Sequence, residues 1–239
     1  MYSKKVEKLI AIAQKRMRMS RDPSHDLRHT TQVVKHVEQL MDGYNLKEKE
    51  REALVLAAWW HDVGRTTTKG SLVILFIMTF VDDLISALFL WRETIKIFFF
   101  GSVPGMATRI IYCKNGTWGS LIQYIWLRKR TRMLRSILED ADNLELLSIE
   151  RLDIIRHMAE ETWLSRLAYK KMVQHGLKGS YFVMNNKQAY TILRTKADEF
   201  LQWVRKPEIT SWHIGYYGKK WAEETARRIE TLRNSLPVQ

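Results

Sequence analysis

Histidine and aspartate residues stand at three places in the chain where their spacing suits metal-assisted chemistry. His25 and His29 lie four residues apart, so on a helix they share the face that carries the apolar residues after them. His61 and Asp62 are adjacent at the end of an apolar run, where an imidazole and a carboxylate can be presented together to a cation. Asp142 interrupts an apolar stripe one helical turn after a leucine, which points its carboxylate inward.

Each of these places has an ordinary explanation when it is taken alone. An inward histidine is most often a hydrogen-bonded core residue, and adjacent His-Asp pairs often arise by chance. The inward carboxylate is harder to explain, because burying it without a partner costs several kcal/mol. A bound metal ion would remove that cost, so the three places together favour a metal site.

Composition favours helices as the elements that hold these residues. The chain has 239 residues, of which 46% are hydrophobic, and its 11 glycines and 4 prolines are too few for the many turns of a β-sandwich. We therefore predict an all-α fold with the site between helices. Because the sequence has no repeat and no low-complexity linker, we divide it into one domain over residues 1–150 and a helical C-terminal extension over residues 151–239, packed on that domain or continuing it.

Capping signals and apolar spacing predict the individual helices. The first covers the N-terminus to about Arg18, and the second begins near Pro23 with Asp22 as its N-cap. The third closes on residues 61–64, with Gly64 as a C-terminal cap. A long helix is expected over residues 121–147, and others within residues 150–175, 187–205 and 221–236.

Glycine-rich segments at residues 101–105 and 115–119 are predicted to be loops. Residues 212–221 combine aromatic and basic side chains around two glycines. We interpret this segment as a loop packed by its own aromatic rings. The alternative is a stacking and phosphate-binding surface for nucleic acid.

Together the three places resemble the HD superfamily of metal-dependent phosphohydrolases, whose signature is a His, a later His-Asp pair and a final Asp, each on a different helix. Residues 25–33, HDLRHTTQV, are similar to the first motif of bacterial-type members. Residues 60–65, WHDVGR, are similar to the second motif, and residues 140–144, DADNL, to the third. The order and the approximate spacing agree, and the resemblance spans roughly residues 25 to 147.

This resemblance implies an HD-domain helical bundle with four metal ligands, His29, His61, Asp62 and Asp142. Asp140 is the main rival to Asp142. Two-metal members of the family carry further histidines before the final Asp, and this chain has no histidine between His61 and His157. We therefore expect one divalent ion, and manganese, magnesium, cobalt, nickel and iron are all compatible with such mixed ligands.

The activity implied by the resemblance is hydrolysis of a phosphoester of a nucleotide or another small phosphorylated molecule by a metal-activated water. Asp62 is the expected catalytic residue, because it would both bind the metal and orient the water. Three residues are candidates for contacting the substrate, His25, Arg65 and Lys69. For Arg65 and Lys69, the alternative of solvated cations beyond a helix end has equal weight.

Charge and cysteine content bound the partners and the compartment. Lys and Arg number 39 against 26 Asp and Glu, and the net charge of +13 favours phosphorylated or polyanionic partners. Two alternative functions therefore stay open. One is a nuclease or phosphodiesterase on a polymeric or cyclic nucleotide. The other is a nucleic-acid-binding module with a vestigial HD site, using the basic residues between Arg128 and Arg135. The single cysteine, Cys113, excludes an intrachain disulfide and fits a cytoplasmic setting.

The most apolar stretch of the sequence, residues 72–91, is interrupted by Asp82 and Asp83. Two carboxylates near the middle of a membrane span would cost several kcal/mol. We therefore predict no transmembrane segment and expect a buried core helix in this stretch.

Overall fold

A computed structural model describes residues 2–22, 25–67, 81–114, 127–177 and 182–237 of the chain. These residues form α-helices and two short 3-10 helices without a strand, so the predicted all-α fold is confirmed for the described part. The chain divides into two compact units, Met1–Asp142 and Asn143–Gln239. The sequence-based division after residue 150 stays a prediction.

Six α-helices begin among the described residues of the first unit. They are α1 (Lys4–Arg18), α2 (Leu27–Met41), α3 (Glu48–Trp60), α4 (Asp82–Lys96), α5 (Ser102–Tyr112) and α6 (Lys129–Leu144). A 3-10 helix, Val63–Thr67, follows α3. None of the described helices of the chain is long and apolar enough to span a membrane.

The third helix, α3, lies at the centre of the first unit. Every residue from Ala53 to Trp60 is buried, because the helix is apolar around its whole circumference and packs against α1, α2 and α5. The indole Nε1 of Trp60 donates a hydrogen bond to the carbonyl oxygen of Leu9, at 3.2 Å, which ties α3 to α1. The chain therefore leaves α3 at His61 inside the core, and His61 and Asp62 are delivered there together.

In α4 the polar side chains face inward. Asp82, Asp83 and Ser86 are buried, whereas Leu84, Leu88 and Trp91 are 44%, 55% and 44% exposed. The expected buried core helix is therefore wrong for the part of residues 72–91 that the structure describes. The orientation follows from the 3-10 helix, since Gly64 N donates to Ser86 Oγ at 2.7 Å and Arg65 pairs with Asp82.

One predicted helix start and one predicted loop in the first unit are wrong. Helix α2 begins at Leu27 and not near Pro23, because the side chain of Asp26, and not that of Asp22, accepts hydrogen bonds from the first free N–H groups. Residues 101–105 are not a loop, since α5 begins at Ser102. Pro104 falls in the first turn, where its missing N–H costs no hydrogen bond, and Gly101 precedes the helix at φ 118°. The predicted loop at residues 115–119, and residues 121–126 of the predicted long helix, lie outside the described residues.

The described residues of the second unit form a 3-10 helix, Glu145–Leu147, and five α-helices. These are α7 (Ile149–Glu161), α8 (Trp163–Gly176), α9 (Lys187–Val204), α10 (Pro207–Tyr217) and α11 (Lys219–Ser235). Helix α7 packs against α8, and α11 packs against α9 and α10. The predicted loop over residues 212–221 is wrong, because α10 continues to Tyr217 and only Gly218, at φ 86°, makes the turn into α11.

Aromatic rings hold α8, α10 and α11 together in an aromatic cluster of Tyr169, Trp212, His213, Tyr217 and Trp221. His213 is at its centre, with Nε2 3.0 Å from the hydroxyl of Tyr169 and with no hydrogen-bond partner for Nδ1 among the described residues. Burial lowers the pKa of His213 to about 4, and the charge of Arg156 acts in the same direction.

Candidate metal centre

The first turn of α2 positions His29. The carboxylate of Asp26 accepts hydrogen bonds from the backbone N–H groups of Arg28 and His29, each at 3.0 Å, and so fixes the beginning of the helix. His29 shares the buried face of α2 with Val33 and Val37, as the spacing predicts. Its imidazole therefore points into the first unit.

The end of α3 positions His61 and also selects its tautomer. His61 Nδ1 lies 2.7 Å from the carbonyl oxygen of Ala58, which can only accept a hydrogen bond. Nδ1 therefore carries the hydrogen in the neutral imidazole, and Nε2 carries the lone pair that can bind a metal.

Asp142, near the end of α6, supplies a carboxylate to the same place. Three ligand atoms, one each from His29, His61 and Asp142, lie within 4.8 Å of one another. Together they could hold a metal ion. Asp140, the rival for this position, is fully buried but does not belong to that group. The structure thus brings Asp142, and not Asp140, to the two histidines.

Asp62, the residue next to His61, does not belong to that group of three but lies beside its two histidines. Its Oδ2 lies 3.2 Å from His29 Nε2 and 3.1 Å from His61 Nε2. Asp142 Oδ1 lies 3.3 Å and 3.7 Å from the same two nitrogens. We call these four side chains, His29, His61, Asp62 and Asp142, the HD cluster.

These distances resemble the spacing of ligands around a cation. Two ligands at about 2.1 Å from a metal, at right angles, are about 3 Å apart. Three polar atoms of the HD cluster are buried and find no partner in hydrogen-bond geometry among the described residues: His29 Nε2, His61 Nε2 and Asp62 Oδ2. Each of them nevertheless lies within 3.3 Å of another polar atom. Buried polar atoms in this state are costly, and a divalent ion would satisfy all of them at once.

Electrostatics in the HD cluster also favour a cation. Burial lowers the pKa of His61, but the adjacent Asp62 outweighs it and raises that pKa to about 9. Burial favours the neutral form of the two carboxylates as well. Nearby positive charge nevertheless holds both pKa values well below their usual range. For Asp62 this charge is chiefly that of His61, and for Asp142 it is chiefly that of Lys114.

The three predicted substrate-contacting residues differ in where they lie. His25 Nδ1 is 2.7 Å from Asp22 Oδ2, and its ring meets that of His29 edge-on at 5.4 Å. Arg65 is buried, with a guanidinium nitrogen 2.6 Å from Asp82 Oδ2 and Nε 3.6 Å from Asp62 Oδ1. Lys69 lies outside the described residues. Substrate binding by these residues stays a prediction, and the contacts of Arg65 indicate that it also steadies Asp62.

Lys114 is a member of this region that the sequence analysis missed. It follows α5 directly, is 2% exposed, and places Nζ 2.8 Å from Asp142 Oδ2. No local pattern marks it, because its partner is on another helix. Asp82 was also missed as a partner of Arg65, although a carboxylate pair inside an apolar stretch is a signal that a buried cation lies nearby.

The basic residues between Arg128 and Arg135 are partly used inside the first unit. Arg130 pairs with Glu50, at 2.8 Å, and Arg135 pairs with Glu139 and donates to two backbone carbonyl groups. Arg128 and Lys129 are exposed. The surface available to nucleic acid is therefore smaller than the count of basic residues suggests.

Comparisons of the chain with protein-family models, with curated proteins and with solved structures find no match. The interpretation as an HD domain therefore depends on the three motifs of the sequence. The geometry of the HD cluster is an independent observation on the same residues.

Proposed function

We propose that the chain is a metal-dependent phosphohydrolase of the HD type that cleaves a phosphoester of a nucleotide or another small phosphorylated molecule. The observation that carries this proposal is the convergence of two buried imidazole nitrogens, each 3.1 to 3.7 Å from an oxygen of Asp62 and an oxygen of Asp142 and without a partner in hydrogen-bond geometry. Three separate helix ends contribute to it, so local sequence does not explain the convergence.

The donor set fits a single divalent ion. Imidazole and carboxylate ligands suit manganese, magnesium, cobalt, nickel and iron, and they leave coordination positions for water and a phosphoryl oxygen. When bound, such an ion lowers the pKa of its water and neutralises charge that develops on the phosphoryl group.

Within this proposal each residue has a defined task. His61 presents Nε2 because Ala58 holds Nδ1–H, and His29 is held by the N-cap of α2. Asp62 is ionised at neutral pH, so it can accept a hydrogen bond from the attacking water and orient it. Arg65 supports that orientation through its contact with the second oxygen of Asp62.

Access to the site is from the side of Asp142. The side chain of Asp142 is 21% exposed, whereas those of His29, His61 and Asp62 are almost fully buried. We therefore expect the phosphate to approach next to Asp142.

The test is phosphatase activity on a panel of nucleotides and generic phosphoesters, with each divalent metal in turn. Wild type is compared with Asp62→Asn, which keeps the side-chain volume and removes the charge. Asp42→Asn is the matched control, since Asp42 lies in the same unit with its side chain 75% exposed. We expect metal-dependent activity in wild type and control, and a loss of about 100-fold or more in Asp62→Asn.

Other outcomes would select the alternatives. Cleavage of bis(p-nitrophenyl) phosphate but not of monoesters would indicate a nuclease or phosphodiesterase. Salt-sensitive binding of nucleic acid without any hydrolysis would indicate a binding module with a vestigial site. Equal activity in wild type and Asp62→Asn would contradict the assignment of the reaction to the HD cluster.

A further inference from the structure

Lys114 divides the two oxygens of Asp142 between different partners. Asp142 Oδ1 faces the Nε2 atoms of His29 and His61, at 3.3 and 3.7 Å. Asp142 Oδ2 instead lies 2.8 Å from Lys114 Nζ. One oxygen is therefore available to an ion held by the histidines, and the other is already bound to an ammonium group.

The backbone of Lys114 is held in place by the helix that carries Asp142. Lys114 N donates to the carbonyl oxygen of Ile111, at 3.0 Å, as part of the turn that ends α5. Arg135, on α6, donates to the carbonyl oxygens of Cys113 and Lys114. Because Arg135 and Asp142 share α6, the same helix fixes both the backbone and the charged end of Lys114.

The position of the ammonium is one that a second metal ion would need. Lys114 contacts Asp142 directly, and its charge also acts on the buried carboxylates of Asp62 and Asp83. A second divalent ion beside the first would have to share the oxygens of Asp142 and recruit such neighbours. It would meet the positive charge of Lys114 there, and the ammonium is too well buried, at 3% exposure, to turn away into solvent.

We propose that Lys114 is the built-in second cation of this site. It restricts Asp142 to binding metal through one oxygen and limits the site to a single divalent ion. This inference rests on the metal site of the proposed function but not on the reaction or the substrate.

The experiment measures metal binding without any substrate. Metal-free full-length protein is titrated with Mn²⁺ by calorimetry, and the bound ion is examined by electron paramagnetic resonance. Wild type is expected to bind one Mn²⁺ per chain with the spectrum of an isolated ion. Lys114→Gln keeps a hydrogen-bond donor but removes the charge, and we expect it to bind a second Mn²⁺ that couples magnetically to the first. Lys114→Arg retains the charge and should remain at one ion.

The outcomes separate this inference from the proposed function. Two ions in wild type, or only one ion in folded Lys114→Gln, would overturn the role of Lys114 while leaving the metal site intact. No binding by wild type would overturn both. Circular dichroism establishes that each variant is folded. If Lys114→Gln does not fold, a titration of wild type up to millimolar Mn²⁺ decides, because a second bound ion there contradicts the inference.

Discussion

The buried histidine of the aromatic cluster makes the stability of the second unit depend on pH. His213 is 1% exposed, and burial lowers its pKa from the ordinary 6.5 to about 4. Between these two values the unfolded chain binds a proton that the folded chain does not bind. The contribution of His213 to stability is therefore fully present above pH 6.5 and is lost as the pH falls toward 4.

The size of the effect follows from the difference between the two pKa values. Each unit of difference corresponds to about 1.4 kcal/mol, so the shift from 6.5 to about 4 corresponds to a limit of about 3 kcal/mol. We use pH 5 because fewer carboxylates are protonated there than at pH 4. The free energy of unfolding lost at pH 5 relative to pH 7 is about 2 kcal/mol. The free energy of unfolding of a typical domain is roughly 5–15 kcal/mol, so this loss is a large share of it.

The assay is urea unfolding at pH 7 and pH 5, followed by the near-ultraviolet circular dichroism of the aromatic cluster. We compare wild type with His213→Phe, which keeps a ring of similar size and cannot be protonated. The free energy of unfolding of wild type should fall by about 2 kcal/mol more than that of the variant. His157→Phe, at an exposed histidine of the same unit, should behave as wild type. If wild type and His213→Phe lose the same free energy, the reasoning from burial to a lowered pKa is refuted.

Three further predictions concern the first unit. In Gly64→Ala the new Cβ would lie 2.5 Å from the carbonyl oxygen of Asp82, so we expect urea unfolding to show a loss of about 1–3 kcal/mol in stability. The control is Gly215→Ala, whose new Cβ meets no atom within 4 Å. Equal stability of the two variants would contradict the prediction. Asp26→Ala removes the N-cap of α2 and should lower the stability by about 1 kcal/mol. It should also weaken the binding of Mn²⁺ through His29, and calorimetry measures this affinity. Unchanged affinity would argue against His29 as a ligand. Adding Mn²⁺ at about 100 times its Kd to chelator-treated protein should raise the free energy of unfolding by about 2.7 kcal/mol, and an unchanged melting temperature would count against the metal site.

Local patterns predicted much of the HD cluster. The spacing of His29 with the apolar residues after it predicted an inward side chain, and the apolar run before His61 predicted a buried helix that ends there. In both cases the apolar residues that make up the pattern lie within one or two helical turns of the histidine. Spacing also pointed Asp142 inward, and the structure then distinguished it from Asp140.

Contacts between distant segments could not be predicted in this way. The pairs Lys114–Asp142 and Arg65–Asp82 exist only once the helices are packed, so neither residue of a pair predicts the other from its own neighbourhood. The inward polar face of α4 depends on the second of these pairs. The sequence, read for its apolar content, therefore indicated a buried core helix and not a helix with a partly polar buried face.

The single cysteine reports on the anchorage of Lys114. Cys113 is buried, precedes Lys114 directly, and has its carbonyl group held by Arg135. A thiol reagent can react with Cys113 only after this part of the first unit opens. When the segment recloses faster than the reagent reacts, the labelling rate gives the free energy of opening. Since no other thiol contributes to the signal, the wild-type protein yields this quantity without any substitution. An ion bound to the closed form should slow the labelling in proportion to its occupancy, so the same thiol measures metal affinity through local dynamics.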